Sequence, residues 1–120
     1  MEILVVDDEK QACSILEQIL TDLGQTVTIV TKGKDVLDVL RRHTFDMIFV
    51  DINMPDISGI DVIKQIRAEN SEIKIIVVSA VDNELAIRYI GELGINGYIT
   101  KPIRIKYLEK AIKDTIKKIL

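Results

Sequence analysis

Little in this sequence serves covalent cross-linking, nucleic-acid attraction or passage through a bilayer. A single cysteine, Cys13, cannot close an internal disulfide, so a reducing compartment is expected. Basic residues do not dominate: 16 Lys and Arg stand against 19 Asp and Glu, for a net charge of −3. Nonspecific contact with nucleic acid or an anionic membrane needs a basic face, so neither is expected as a direct partner. No apolar run approaches the roughly 20 residues that span a hydrocarbon core. Met1-Glu2 leads straight into a short apolar segment without a signal-peptide pattern, and the expected location is the cytoplasm. With only 2 prolines, punctuation falls mainly to 6 glycines. The one histidine, His43, reads as a solvated loop residue between the second helix and the third strand.

What is present suffices for one domain over residues 1–120, with 48% hydrophobic and 29% charged residues. Short β-rich runs (Ile3–Val6, Thr26–Val30, Met47–Val50, Ile73–Val78 and Gly97–Ile99) alternate with helical stretches. Three of these runs are almost continuously apolar, as strands covered on both faces are. Ala12, Leu16, Ile19 and Leu23 recur at helical spacing before Gly24. Val36, Leu37 and Leu40 mark a second helix, and Ile60, Ile63 and Ile66 a third entered through Ser58. Leu85, Ala86, Tyr89, Ile90 and Leu93 mark a fourth helix ending at Gly94. Leu108, Ala111, Ile112, Thr115, Ile116 and Ile119 stripe a fifth, whose Lys113, Lys117 and Lys118 face water. Right-handed crossovers between such units give an α/β, doubly wound parallel sheet with helices on both faces.

The strand ends carry the chemistry. The first strand runs into Asp7-Asp8, the third into Asp51, the fourth into Ser79 and the fifth, through Thr100, into Lys101-Pro102. In a parallel sheet these carboxyl ends share one edge, where ligands bind. Each residue alone has a local reading. Asp8-x-x-Gln11 resembles a capping box, Asp51 can open an Asx turn, Ser79 can cap locally and Lys101 can be a loop lysine. Asp7 beside Asp8 is harder to assign locally, because two neighbouring carboxylates repel unless a cation such as Mg²⁺ joins them. Together the set suits phosphoryl transfer to a carboxylate. An aspartate carboxylate needs no general base to act as a nucleophile, while a cation and a hydroxyl can neutralise the phosphoryl oxygens. Cys13, near the apolar stripe of the first helix, reads as a structural thiol.

Val5-Val6-Asp7-Asp8-Glu9, Asp51-x-x-Met54-Pro55-x-x-x-Gly59, Val78-Ser79-Ala80 and Tyr98-x-x-Lys101-Pro102 resemble, across the whole chain, response-regulator receiver domains of the CheY-like type. The resemblance implies a flavodoxin-like (βα)₅ three-layer sandwich with strand order 2-1-3-4-5. It implies Asp51 as phosphoacceptor, with Ser79 and Lys101 holding the phosphoryl group. It implies Mg²⁺ bound by Asp7 (through water), Asp8, Asp51 and the backbone carbonyl of Asn53, and Tyr98 as an aromatic switch alongside Ser79. The implied donor is a sensor histidine kinase or histidine phosphotransfer protein, docking near Gln11, Ser14, Ile15 and the Pro102-Ile103-Arg104 loop. The output face would be the fourth helix, fifth strand and fifth helix, acting on a downstream protein or an output domain beyond the sequence, as a monomer or a phosphorylation-dependent dimer. The Lys101-Pro102 bond is a candidate for cis.

Some positions depart from the family pattern. Ile103 follows Lys-Pro where phenylalanine is frequent, and Asn96-Gly97 replaces the acidic pair of the winged-helix transcription-factor branch. Val81 is apolar and cannot orient an attacking water, so a long-lived phosphoaspartate is expected. A competing enzyme reading, a small Mg²⁺-dependent phosphohydrolase, needs an acid–base carboxylate where Asn53 stands. A flavin-binding module lacks a Ser/Thr/Gly-rich phosphate loop after the first strand. A receiver without phosphorylation would not need Asp7, Asp8, Asp51, Ser79 and Lys101 together. A protein that promotes its own modification, and not a turnover enzyme, is the expectation.

Overall fold

The apolar runs and amphipathic stretches fold as an alternating series. A computed structural model of the chain describes residues 1–70, 72–101 and 105–119. Its elements are β1 (Glu2–Val6), α1 (Lys10–Asp22), β2 (Thr26–Val30), α2 (Val36–Arg42), β3 (Met47–Val50), α3 (Gly59–Glu69), β4 (Lys74–Ser79), α4 (Glu84–Gly91), β5 (Gly97–Thr100) and α5 (Ile105–Ile119). Every strand pair is parallel and the order is β2-β1-β3-β4-β5, as expected.

Strand pleating explains the three layers, since successive side chains point to opposite faces. Leu4, Val6, Ile48, Val50, Ile75 and Val77 meet Val36, Val62, Ile63, Ile66 and Ile90 from α2, α3 and α4. Their neighbours Ile3, Val5, Met47, Phe49, Ile76 and Val78 meet Leu16, Ile19, Leu20, Leu108, Ile112 and Ile116 from α1 and α5. Each such side chain, fully buried, contributes about 1.5–3 kcal/mol relative to an exposed one. β2 lies at the sheet edge, which is why its Thr26 and Thr28 remain exposed.

Local signals set most boundaries. Gly24, at φ +82°, turns the chain out of α1 through a left-handed conformation that favours glycine. The Ser58 hydroxyl accepts the Ile60 amide at 3.2 Å and starts α3. Several boundaries differ from expectation: β1 starts one residue earlier, at Glu2, β4 starts one later, at Lys74, and β5 ends one later, at Thr100. β4 runs one residue further, so Ser79 is its last member and pairs with Thr100 of β5. α4 closes at Gly91, three residues short of Gly94, because the Glu92 and Leu93 amides fold back onto the Tyr89 and Ile90 carbonyls. Leu93 still packs on the core. A short 3₁₀ turn at Gly33–Asp35, absent from the periodicity, precedes α2. Lys113, Lys117 and Lys118 are exposed on α5 as expected. Pro102, Ile103 and Arg104, with the docking loop and proline bond expected there, lie outside the described residues, as does the side chain of Ile119. Among the described residues, no helix is long and apolar enough to cross a membrane.

Candidate functional site

Parallel pairing carries the carboxyl ends of β1, β3, β4 and β5 to one edge, and three of the polar residues there are buried. Asp7 is 1%, Asp51 5% and Ser79 0% exposed. Carboxylate oxygens of Asp7, Asp8 and Asp51 lie within 4.8 Å of one another. Burying negative charge requires a cation, and Lys101, arriving from the end of β5, supplies one. Its Nζ donates to Asp7 Oδ2 at 2.6 Å and to Asp51 Oδ2 at 3.4 Å, with Glu9 Oε1 at 3.8 Å. Burial disfavours the lysine charge, yet the Asp7 hydrogen bond and the fields of Asp7, Asp51 and Glu9 prevail and hold its pKa above the ordinary value.

The remaining carboxylate oxygens serve the backbone. Asp7 Oδ1 accepts the Glu9 amide at 3.0 Å, and Asp51 Oδ1 accepts the Asn53 amide at 3.3 Å. The Asx turn foreseen for Asp51 therefore coexists with its place in the cluster. The capping alternative for Asp8 does not hold: Glu9 occupies the N-cap position of α1 and no side chain caps there. Asp8 is exposed and turns its carboxylate to the cluster instead. Asn53 is exposed on the loop that follows Asp51.

Ser79 combines both of its readings. Its Oγ accepts the Val81 amide at 3.3 Å, a local turn, while its carbonyl accepts the Lys101 amide at 2.7 Å and so fixes where β5 delivers the lysine. Tyr98, half-buried, donates its hydroxyl proton to the Val81 carbonyl at 2.6 Å. Burial raises its pKa, against the effect of a hydrogen bond with Ser79. Val81, Ser79 and Tyr98 thus form one linked group beside the acidic cluster. Cys13 is buried and donates to the Asp7 carbonyl at 3.2 Å. Burial, with Asp7 adding to it, pushes the thiol up to about 11, which suits a structural thiol and not a nucleophile. His43 is exposed at the end of α2, against the edge of Phe45 and away from the site.

Two features were not foreseen. Glu9 joins the electrostatic field of Lys101, and the acidic run Asp7-Asp8-Glu9 was the signal for it. Asp56, from the loop after Asp51, accepts the amides of Gly33 and Lys34 at 3.3 and 2.9 Å. Those bonds, the first of them from Lys34, hold its pKa low. They pin the loop after β3 to the turn after β2, a pairing no local pattern announces.

The donor set fits a hard divalent cation. Asp7, Asp8 and Asp51 bring three carboxylates within 4.8 Å of one another. All offer oxygen, the ligand such an ion prefers.

Comparison with known proteins gives the same picture. The family model for the response regulator receiver domain matches residues 3–113. The chain is 35% identical over 117 residues to the probable transcriptional regulator ycf27 of Cyanidium caldarium, covering 98% of this chain and 47% of that protein. It thus spans about half the length of that relative. To the chemotaxis protein CheY of Pseudomonas aeruginosa it is 31% identical over 122 residues, covering 99% of this chain and 98% of the other. The solved receiver domain of the Francisella response regulator 1452 superposes with a TM-score of 0.86 at 27% identity, covering 99% of this chain and 98% of that one. With a family model spanning nearly the whole sheet and the acidic edge in its place, the chain belongs to the response regulator receiver domain family.

Proposed function

We propose that this chain accepts a phosphoryl group on Asp51 from a phosphohistidine of a sensor kinase or phosphotransfer protein, and that the modified state presents an altered face to a downstream protein or output domain. The observation that carries the reading is a buried carboxylate, Asp51, with two further aspartates within 4.8 Å and the Lys101 ammonium at 3.4 Å. Bound Mg²⁺ would supply charge neutralisation, letting a carboxylate approach an equally negative phosphoryl group. Asp7, Asp8, Asp51 and the Asn53 carbonyl are the residues that would hold it. Asp51 is the nucleophile and forms the new O–P bond, while the histidine nitrogen of the donor leaves with the bonding pair. Lys101 and the Ser79 hydroxyl then pair with the oxygens of the product.

The acyl phosphate adds charge and acceptor oxygens at Asp51, which favours a state in which Ser79 turns toward them and Tyr98 responds through Val81. Donor docking is supported by the cavity between α1 and α5. Gln11, Ala12, Ile15 and Leu108 line it together with Lys101, whose Nζ lies 3.4 Å from Asp51 Oδ2.

Incubation with acetyl phosphate and Mg²⁺, followed by intact-mass measurement, tests the acceptor. Wild type should gain one phosphate-sized increment, and Asp51→Asn or omission of Mg²⁺ should abolish it. A gain that persists in Asp51→Asn moves the acceptor elsewhere. The same samples report lifetime. Val81 packs its side chain against the core and offers no polar group to attacking water, so the increment should decay over minutes or longer. Decay within seconds, with no phosphatase added, excludes that.

A further inference from the structure

The loop that carries Asn53 is anchored at both ends by its own residues. Asp51 Oδ1 accepts the Asn53 amide at 3.3 Å, and the Gly59 amide donates to the Ile52 carbonyl at 2.8 Å. Between those ends, residues 53–57 reach the turn that follows β2, two strands away from β3 in the sheet. There the two oxygens of Asp56 meet two consecutive amides: Oδ1 accepts Gly33 at 3.3 Å and Oδ2 accepts Lys34 at 2.9 Å. Among the described residues, these are the hydrogen bonds that join residues 53–57 to another element.

Apolar packing follows the same line. Met54 and Ile57 pack on the core, and Gly33 is buried against them. A β-carbon on Gly33 would overlap the Ile57 side chain and stand 3.1 Å from Met54 Cε and from Val62. Asp56 itself is exposed, so water competes for its carboxylate. Two charge-assisted bonds, each about twice as strong as a neutral one, hold it to the turn against that competition. They fix the stretch between Met54 and Ile57, and with it the run of backbone that begins at Asn53.

We infer that Asp56 is a positioning residue for the cation: by fastening the loop to the Gly33-Lys34 turn, it holds the Asn53 backbone where its carbonyl can join Asp7, Asp8 and Asp51 as a ligand. This rests on the receiver reading for the role of the Asn53 carbonyl. It adds a residue outside the acidic cluster that sets how tightly the ion is held. A carbonyl on a loosened loop is in place only part of the time, and the apparent Kd rises by the inverse of that fraction. At saturating Mg²⁺ the loop is ordered again, so binding suffers and the chemical step does not.

Calorimetric titration with Mg²⁺ alone tests it. Asp56→Ala should raise the Kd about tenfold, the lower end of what loss of a group supporting a metal ligand costs. Asp35→Ala is the control for charge. Asp35 is exposed on the same turn and makes no side-chain cap bond, so its loss should change the Kd less than about twofold. A second readout separates positioning from general damage. With acetyl phosphate, the Mg²⁺ concentration giving half the maximal incorporation rate should rise by the same factor in Asp56→Ala, while the rate at saturating Mg²⁺ stays within about twofold of wild type. An unchanged Kd in Asp56→Ala, an equal rise in Asp35→Ala, or a rate that excess Mg²⁺ does not restore overturns the inference. A wild type that binds Mg²⁺ but gains no phosphate fails the proposed function instead, and the calorimetric comparison then decides the role of Asp56 by itself. A wild type without Mg²⁺ binding overturns both.

Discussion

Gly59→Ala is expected to destabilise the fold by about 3 kcal/mol and to lower the melting temperature by roughly 10 °C. Gly59 opens α3 and lies against the backbone of Asp51, the proposed acceptor just beyond β3. A β-carbon at this position would overlap the Asp51 carbonyl oxygen and meet the Ile52 Cα at 2.7 Å and the Asp51 carbonyl carbon at 2.9 Å. All of these are backbone atoms, so no side chain can rotate away and relieve the overlap. The Gly59 amide also donates to the Ile52 carbonyl at 2.8 Å, and any shift that relieves the clash strains this bond. The displaced backbone is that of Asp51 itself, so the rate of phosphoryl incorporation should fall along with stability. Thermal unfolding and the acetyl-phosphate mass assay check the two effects. Gly24→Ala is the control for glycine loss as such, because an added β-carbon there meets nothing within 4 Å and only the left-handed backbone resists it. Equal losses at the two positions would remove the steric argument.

That close approach shows what the sequence could and could not reveal. The spacing from Asp51 to Gly59 marked a turn of fixed length, and the resemblance tied it to the acceptor loop. It gave no hint that the glycine is needed for space and not for a left-handed turn. The convergence of Asp7, Asp51, Ser79 and Lys101 was legible because parallel strands must place their carboxyl ends together. Which atoms pair is another matter. Lys101, read as a partner for an incoming phosphoryl group, makes its shortest contact with Asp7, since the buried carboxylates of Asp7 and Asp51 compete for its ammonium. Asn96 was noted only as a departure from an acidic pattern, yet its side chain completes the hydrogen bonding at the start of β4. Contacts such as Arg67 to Gly94 and Asp56 to Gly33 join residues 27 and 23 apart, without the periodicity by which helices and strands announce themselves.

Lys101→Met should cost about 3–5 kcal/mol in chelator at neutral pH, because it leaves Asp7 and Asp51 buried and unpaired while keeping the volume of the stem. Linkage gives the sign of its pH dependence. The folded-state pKa of Lys101 is raised, so its stabilisation is fully present below the ordinary lysine value of about 10.4 and fades as pH climbs through the folded value. The stability difference between wild type and variant should therefore stay level from neutral pH to about 10 and close only above that. Divalent cation provides the second check. An ion bound only by the folded state stabilises by RT ln(1 + [L]/Kd), or about 2.7 kcal/mol at a hundredfold excess over Kd. In wild type that ion enters a cluster already sharing one ammonium; in Lys101→Met it meets the full charge of the aspartates and should bind more tightly. Denaturant unfolding with and without Mg²⁺ should show a larger Mg²⁺-dependent gain in the variant than in wild type. Equal gains would mean that the ion and Lys101 do not share these carboxylates. No gain in either would sink the acidic cluster as a cation site, and with it the mechanism proposed for Asp51.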